Sequence, residues 1–345
     1  MSYTHGGDIY RNIVEYDFSV NINPLGMPLG SIRAAHEAIL LAGRYPDYKG
    51  EKLCRAIAGY KNVDVDNIIL GNGAAELIYT LCYAVKPRRA LLAVPTFSEY
   101  EKALKAVECE IDSYYLRETE EFELGEEFVD CITEDIDIIF LCNPNNPTGR
   151  LIKPDIMMRI LNKCARHNVY LCVDECFLPF VADENRYTLT GEIAGNKQLI
   201  VLRAFTKIYA MAGLRLGYAL TSNKELLSCM RSKLQPWNTS AVAQMAGVEA
   251  LKDREFLDKT RELIEMERNY LMYELSQGMV DRLYAGEANF IMFKADENLY
   301  DKLMEQGIMI RSCADFEGLN ENYYRIGVRS HSENQELIRR WRRMA

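Results

Sequence analysis

The chain has no CxxC pair: its 10 cysteines stand singly, and the nearest two, Cys172 and Cys176, still lack metal-ligand spacing. Its 4 histidines are dispersed as well. A zinc or cluster site is therefore not expected, and the thiols read as buried, reduced groups of a cytosolic protein. No apolar run approaches the length that crosses a bilayer, and the opening residues, MSYTHGGDIYR, carry no apolar core of leader length. A cytoplasmic location is the resulting expectation. Cationic excess is missing too, since 41 Lys and Arg face 50 Asp and Glu for a formal net charge of −9. That excludes a general attraction to nucleic acid or to an anionic membrane. An anionic small substrate has to be held by local cations instead. Internal repeats and low-complexity tracts are absent.

The chain does have 345 residues with 48% hydrophobic content, enough for a large domain with a smaller one beside it. The first segment, through Asn23-Pro24-Leu25-Gly26, reads as an extended arm, 1–30. Helical spacing comes next at 31–43, with Ser31 as its cap, and at 51–60. Ile68-Ile69-Leu70 leads into Gly71-Asn72-Gly73 and a helix over 74–85. From there short apolar runs at 90–94, 111–115, 136–142 and 169–173 alternate with helical patterns near 99–107, 126–132 and 154–167. This alternation predicts an α/β fold with a mostly parallel sheet covered on both faces. After Pro236-Trp237 the texture changes. Helical patterns at 240–251 and 253–276 precede short strands near 280–284 and 290–293, a helix at 299–306 and a basic closing helix from Glu333. The expected division is an arm 1–30, a large domain 31–236 and a small domain 237–345.

The stretch LIVLRAFTKIYAMAGLRLGY, 199–218, is the part the rest serves. A branched apolar run suited to a buried strand ends just before Lys207, and Arg215 comes after it between Gly213 and Gly217. Burial disfavours the charged form of an amine and raises its nucleophilic fraction. Alone, these residues fit a surface loop equally well. In open parallel sheets, however, ligands bind beyond the carboxyl ends of the strands, so the residues just past the other strands are informative. Gly73, Ala74 and Ala75 open a helix whose free N–H groups can receive a phosphate. Phe97 offers an aromatic face. Asn143-Pro144-Asn145-Asn146-Pro147-Thr148-Gly149 presents amides, and Asp174 closes an apolar strand where a carboxylate needs a cation. A phosphate cradle, an aromatic plate, an amide, a carboxylate, a lysine and an arginine on one sheet edge are what holding pyridoxal phosphate requires.

The ordered motifs NPNNPTG, VDE, TK and GLRLGY also resemble those of the fold-type I aminotransferase superfamily, over nearly the whole chain. The resemblance implies that Lys207 is the Schiff-base lysine of pyridoxal 5'-phosphate and that Asp174 pairs with the ring nitrogen. It makes Asn146 the partner of the phenolic oxygen and Phe97 the ring-stacking residue. Gly73, Ala74, Ala75, Thr206 and Arg215 are then the phosphate cradle. Tyr45 is similar to the tyrosine that reaches this phosphate from a second subunit, which implies a homodimer with shared sites. Two departures stand out: Ala204 replaces a frequent phosphate-binding hydroxyl, and Phe177 replaces the tyrosine usual in transaminating relatives.

At the two ends, His5-Gly6-Gly7 with DFSVNINPLG (17–26), and Ile310-Arg311-Ser312-Cys313 with Tyr323-Tyr324-Arg325, resemble the threonine-phosphate decarboxylases of cobalamin biosynthesis. That resemblance assigns His5, Gly6, Asn23 and Arg311 to a small phosphorylated amino acid, with Arg311 on its phosphate and Arg329 a weaker candidate. Arg325 is similar to the superfamily's α-carboxylate arginine. Decarboxylation of threonine phosphate is the leading expectation, with serine phosphate a further candidate substrate. Histidinol-phosphate aminotransferases are the main alternative, and a binding-only protein is a third, against which the intact lysine and aspartate argue.

Overall fold

The computed structural model describes residues 5–344, so the first four residues of the expected arm lie outside it. Apolar, branched segments of 4 to 6 residues with no exposed core face build the central sheet, as their composition dictates. Its order is Ile68–Gly71, Gly217–Leu220, Leu199–Ala204, Tyr170–Asp174, Ile138–Cys142, Arg89–Val94, Glu110–Tyr115. Neighbours pair in parallel except for Gly217–Leu220, which runs antiparallel to both strands beside it. Helices such as Ala74–Val85 and Pro154–His167 cover the sheet, and each buries an apolar stripe against it. No helix among the described residues is long and apolar enough to cross a membrane.

The closing third forms a four-stranded antiparallel sheet, ordered Arg311–Ser312, Tyr323–Gly327, Phe290–Lys294, Arg282–Tyr284. The arm attaches to this part: Tyr16–Asp17 pairs in parallel with Ile308–Met309, and the Gly327 N–H donates to the Phe18 carbonyl at 2.8 Å. One expectation, the Ser31 cap, is corrected. The first helix is Leu29–Ile39, capped at Pro28, while the Ser31 hydroxyl donates to the Ala246 carbonyl at 3.0 Å instead of capping. The helix Ala241–Ala250 packs on Leu29–Ile39 and Glu51–Lys61 and is followed by the long helix Arg254–Ser276.

Just behind the strand ends lies a buried ionic network. Glu175, fully buried, accepts the Thr188 hydroxyl and the Leu189 N–H at 2.8 Å each and pairs with the Arg203 guanidinium. Arg203 also pairs with Glu184 at 2.8 Å, and Lys61 and Arg261 close on the same carboxylate at 2.7 and 2.9 Å. Glu175 directly follows Asp174 and Arg203 directly precedes Ala204, so the pair ties together the two strand ends that enter the site. Removing one partner strands a charge in the interior. Glu175→Ala is therefore expected to destabilise the protein by about 3–5 kcal/mol, read from denaturant melts. A loss under about 1 kcal/mol would mean that water reaches Arg203.

Candidate active site

The carboxyl ends of the central strands, the arm and the second sheet enclose a cavity of about 430 Å³. Lys207, Asp174, Asn146, Phe97, Thr206 and Arg215 all stand in its wall, with Ala74 and Ala75. Lys207 sits in the short helix Phe205–Ile208 after strand Leu199–Ala204. Its amine is pushed down to about 8, first by burial and then by the positive charges of Arg325 and Arg215. Between pH 8 and 10.5 the unfolded chain holds this proton while the folded chain has released it. Raising pH through that window therefore stabilises the folded apo form. The stability gap between wild type and Lys207→Met should move in the wild type's favour as pH rises from 8 to 10.5, in denaturant melts at stepped pH.

Asp174 closes strand Tyr170–Asp174 and is buried. Its Oδ1 accepts the Cys176 N–H at 2.9 Å and its Oδ2 the Tyr100 hydroxyl at 2.8 Å. Of the three asparagines in the loop 143–149, only Asn146 reaches the cavity. Asn143 Oδ1 accepts the Ile152 N–H at 2.9 Å, and Asn145 is consumed by Thr96, Pro95 and Thr148. At the helix start, Gly73 has φ +82°, and a Cβ there would lie 2.6 Å from the Arg215 guanidinium. A Cβ at Gly217 would lie 2.6 Å from the Ala74 nitrogen. The two glycines thus let an arginine and a helix N-terminus converge where an anion fits. Ala204 contributes a methyl to the same wall, and Phe177 packs edge-on against Phe290 with centroids 5.1 Å apart.

The second sheet brings the arginines. Arg311 and Arg325 are direct register partners on adjacent antiparallel strands, and both are buried in the cavity wall. Arg311 donates through one guanidinium nitrogen to both oxygens of Asp315 at 2.7 Å. Arg325 donates to the Asn146 amide oxygen and to the Ser19 carbonyl, the latter at 3.0 Å, and its Nε has no partner among the described residues. Burial, aided by Arg311, pushes it down to about 10. A buried guanidinium whose partners are an amide and a carbonyl is an anion site in waiting. Arg329 instead pairs with Glu333 at 2.8 Å, away from the cavity wall.

The arm brings His5 and Gly6 to the cavity wall, while Asn23 lies outside it. Its amide is buried and donates to the Ile208 carbonyl at 2.7 Å and to the Thr260 hydroxyl at 2.8 Å. Its backbone N–H donates to the Lys207 carbonyl at 3.1 Å, so Asn23 braces the lysine turn. Asn21, two residues earlier, lines the cavity with a buried Oδ1 that has no partner among the described residues. Glu99 was also missed. It lies 2.9 Å from His5 and 2.7 Å from Lys102, and these contacts, His5 first, pull its carboxyl down to about 2. Nothing in the local pattern marks Asn21 over Asn23, and Glu99 reads as an ordinary first-turn acid of helix Ser98–Lys105. Tyr45 stays outside the cavity wall, 79% exposed and stacked on Trp237 with centroids 4.4 Å apart.

Known proteins share this architecture. The chain is 37% identical over 325 residues to the threonine-phosphate decarboxylase of Salmonella typhimurium, covering 93% of this chain and 89% of the relative. It is 32% identical over 299 residues to a histidinol-phosphate aminotransferase of Clostridium kluyveri, covering 86% and 82%. Among solved structures, the histidinol-phosphate aminotransferase from Clostridium acetobutylicum matches with a TM-score of 0.89 at 32% identity, over 95% of this chain and 98% of that one. The model of the family "Aminotransferase class I and II" matches residues 15–340, and the chain belongs to that family.

Proposed function

We propose that this protein decarboxylates threonine O-phosphate to an aminopropanol phosphate, the linker used in cobalamin assembly. The observation that carries the reading is the register pairing of Arg311 with Arg325 in one cavity wall. Two adjacent guanidiniums suit a substrate with two anionic groups, a carboxylate and a phosphate. We assign the carboxylate to Arg325 and Asn146, and the phosphate to Arg311, His5 and the Gly6 amide. Asn21, whose Oδ1 has no partner among the described residues, takes the substrate-facing place on the arm.

The family's cofactor is pyridoxal phosphate, and the cavity residues fit it. Unpartnered Arg325 Nε and Asn21 Oδ1 call for ligand atoms, and the Gly73–Gly217 approach leaves a helix N-terminus beside Arg215. When bound, the cofactor supplies a conjugated ring that accepts the electron pair released at the substrate Cα. Ala74, Ala75, Thr206 and Arg215 would hold its phosphate, Phe97 its ring face, and Asn146 its phenolic oxygen. Asp174 would keep a proton on the ring nitrogen. Lys207 Nζ is the nucleophile that anchors it. Arg325, fixed by Ser19 and Asn146, would hold the substrate carboxylate in the orientation from which the Cα–carboxylate bond breaks. With the carboxylate so held for release as carbon dioxide, Lys207 Nζ would hold the proton that returns to Cα. Tyr45 from a second copy would complete the phosphate cradle, a role supported by its exposure beside Tyr48 and Trp237.

A second reading, histidinol-phosphate aminotransferase, is favoured by the likeness in fold. Histidinol phosphate itself carries a phosphate and no carboxylate, so in that reading only the glutamate co-substrate, with its two carboxylates, would engage both arginines. The assay supplies threonine phosphate and pyridoxal phosphate and should release carbon dioxide with no 2-oxo acid. Glutamate-dependent conversion of histidinol phosphate without that release would replace the first reading by the second. Serine phosphate differs by one methyl group, worth about 1–3 kcal/mol of discrimination, and belongs in the same assay.

A further inference from the structure

Asp174 is held by a residue outside the motifs that identify the site. Tyr100 is fully buried in helix Ser98–Lys105, one turn beyond Phe97. Its ring stacks on Phe140 with centroids 5.2 Å apart at 12°, and it meets Phe97 edge-on at 5.6 Å and 84°. Packing on both sides fixes the ring and therefore the hydroxyl, which donates to Asp174 Oδ2 at 2.8 Å. Burial and the negative charge of Asp174 push the phenol well above its ordinary range, so it remains a donor. The thiols of Cys142 and Cys176 near this carboxylate are likewise kept protonated by burial.

A carboxylate at a strand end can turn about its last bond unless both oxygens are engaged. Here the Cys176 N–H and the Tyr100 hydroxyl take one oxygen each. We propose that Tyr100 is a positioning residue for the site: its hydroxyl sets the plane of the Asp174 carboxylate, while its ring buttresses Phe97, so that one side chain aligns the ring-nitrogen partner with the ring-stacking face. This inference rests on the reading that the cavity takes pyridoxal phosphate. With both oxygens engaged, the Asp174 carboxylate would be held in line with the N–H of the ring nitrogen, and a proton kept there makes the ring a better electron acceptor.

The test uses the full chain with Tyr100→Phe, which keeps the ring and its packing and removes only the hydroxyl. The apoprotein is titrated with pyridoxal phosphate, and the holoprotein is prepared with ring-15N coenzyme for NMR. The expected result is a dissociation constant raised by about tenfold, with the 15N resonance moved toward that of neutral pyridine. Tyr100→His, whose ring nitrogen can donate in place of the hydroxyl, should return the resonance toward the wild-type position. A Tyr100→Phe protein with wild-type affinity and resonance overturns the assignment, whatever its melting temperature. If Tyr100→Phe does not fold, Tyr100→His decides: a protonated ring nitrogen supports the role and a neutral one overturns it. A wild-type chain that fails to bind the coenzyme would instead overturn the functional reading on which this rests.

Discussion

Replacing Lys207 with Ala is expected to lower turnover by about 10⁴-fold. The proposed reaction gives one nitrogen two tasks, and both would be lost together. It must be a nucleophile, which the fall of its pKa to about 8 permits near neutral pH. It must also carry the proton that reaches the substrate Cα. Both tasks need the amine held beside Asp174, Asn146 and Arg325, and Asn23 secures that position by bonding to the backbone at Lys207 and Ile208. The substitution should not weaken the apo fold, because a charged amine in this setting is a burden that alanine removes. Turnover, coenzyme absorbance and thermal melting on the same preparation check the three parts. A primary amine added to the variant should restore a fraction of the activity if the missing group is the amine. Turnover at the wild-type level would mean that a different residue is the nucleophile.

Replacing Arg325 with Lys is expected to reduce kcat/KM for threonine phosphate by about 10²–10³-fold while leaving coenzyme binding nearly unchanged. The guanidinium already spends donors on Asn146 and on the Ser19 carbonyl at 3.0 Å, and its remaining Nε is free for a ligand. Lysine offers one point charge and cannot bridge the arm, the amide and a carboxylate at once. The loss should therefore fall on substrate binding, and on kcat as far as the orientation of the carboxylate sets the rate. Steady-state kinetics with a separate coenzyme titration distinguish these effects. Loss of coenzyme in place of substrate affinity would show that Arg325 serves the cofactor.

How much of this could be read from the residues alone varies along the chain for definite reasons. The run Leu199–Ala204 and the alternation of apolar strands with amphipathic helices announce themselves by period and length. The motifs at the strand ends could be found because the edge where parallel strands finish is where loops gather. Glu99 and Tyr100 escaped because the start of an amphipathic helix carries acids and aromatics for ordinary reasons. Asn21 went unmarked because it shares with Asn23 the parity of an extended arm, and only the path of that arm over the Lys207 turn separates them. Arg311 and Arg325 were legible as cations, but not as neighbours.

Residue order alone was enough for the sheet, the covering helices and the identity of the groups at each strand end, because these depend on local periodicity and on short spacing. Folding in three dimensions was needed to set Gly217–Leu220 against its neighbours, to bring Arg311 opposite Arg325, and to carry Tyr100 to Asp174. Each of those contacts joins segments far apart in the chain, and their meeting is set by packing that no single stretch of residues encodes.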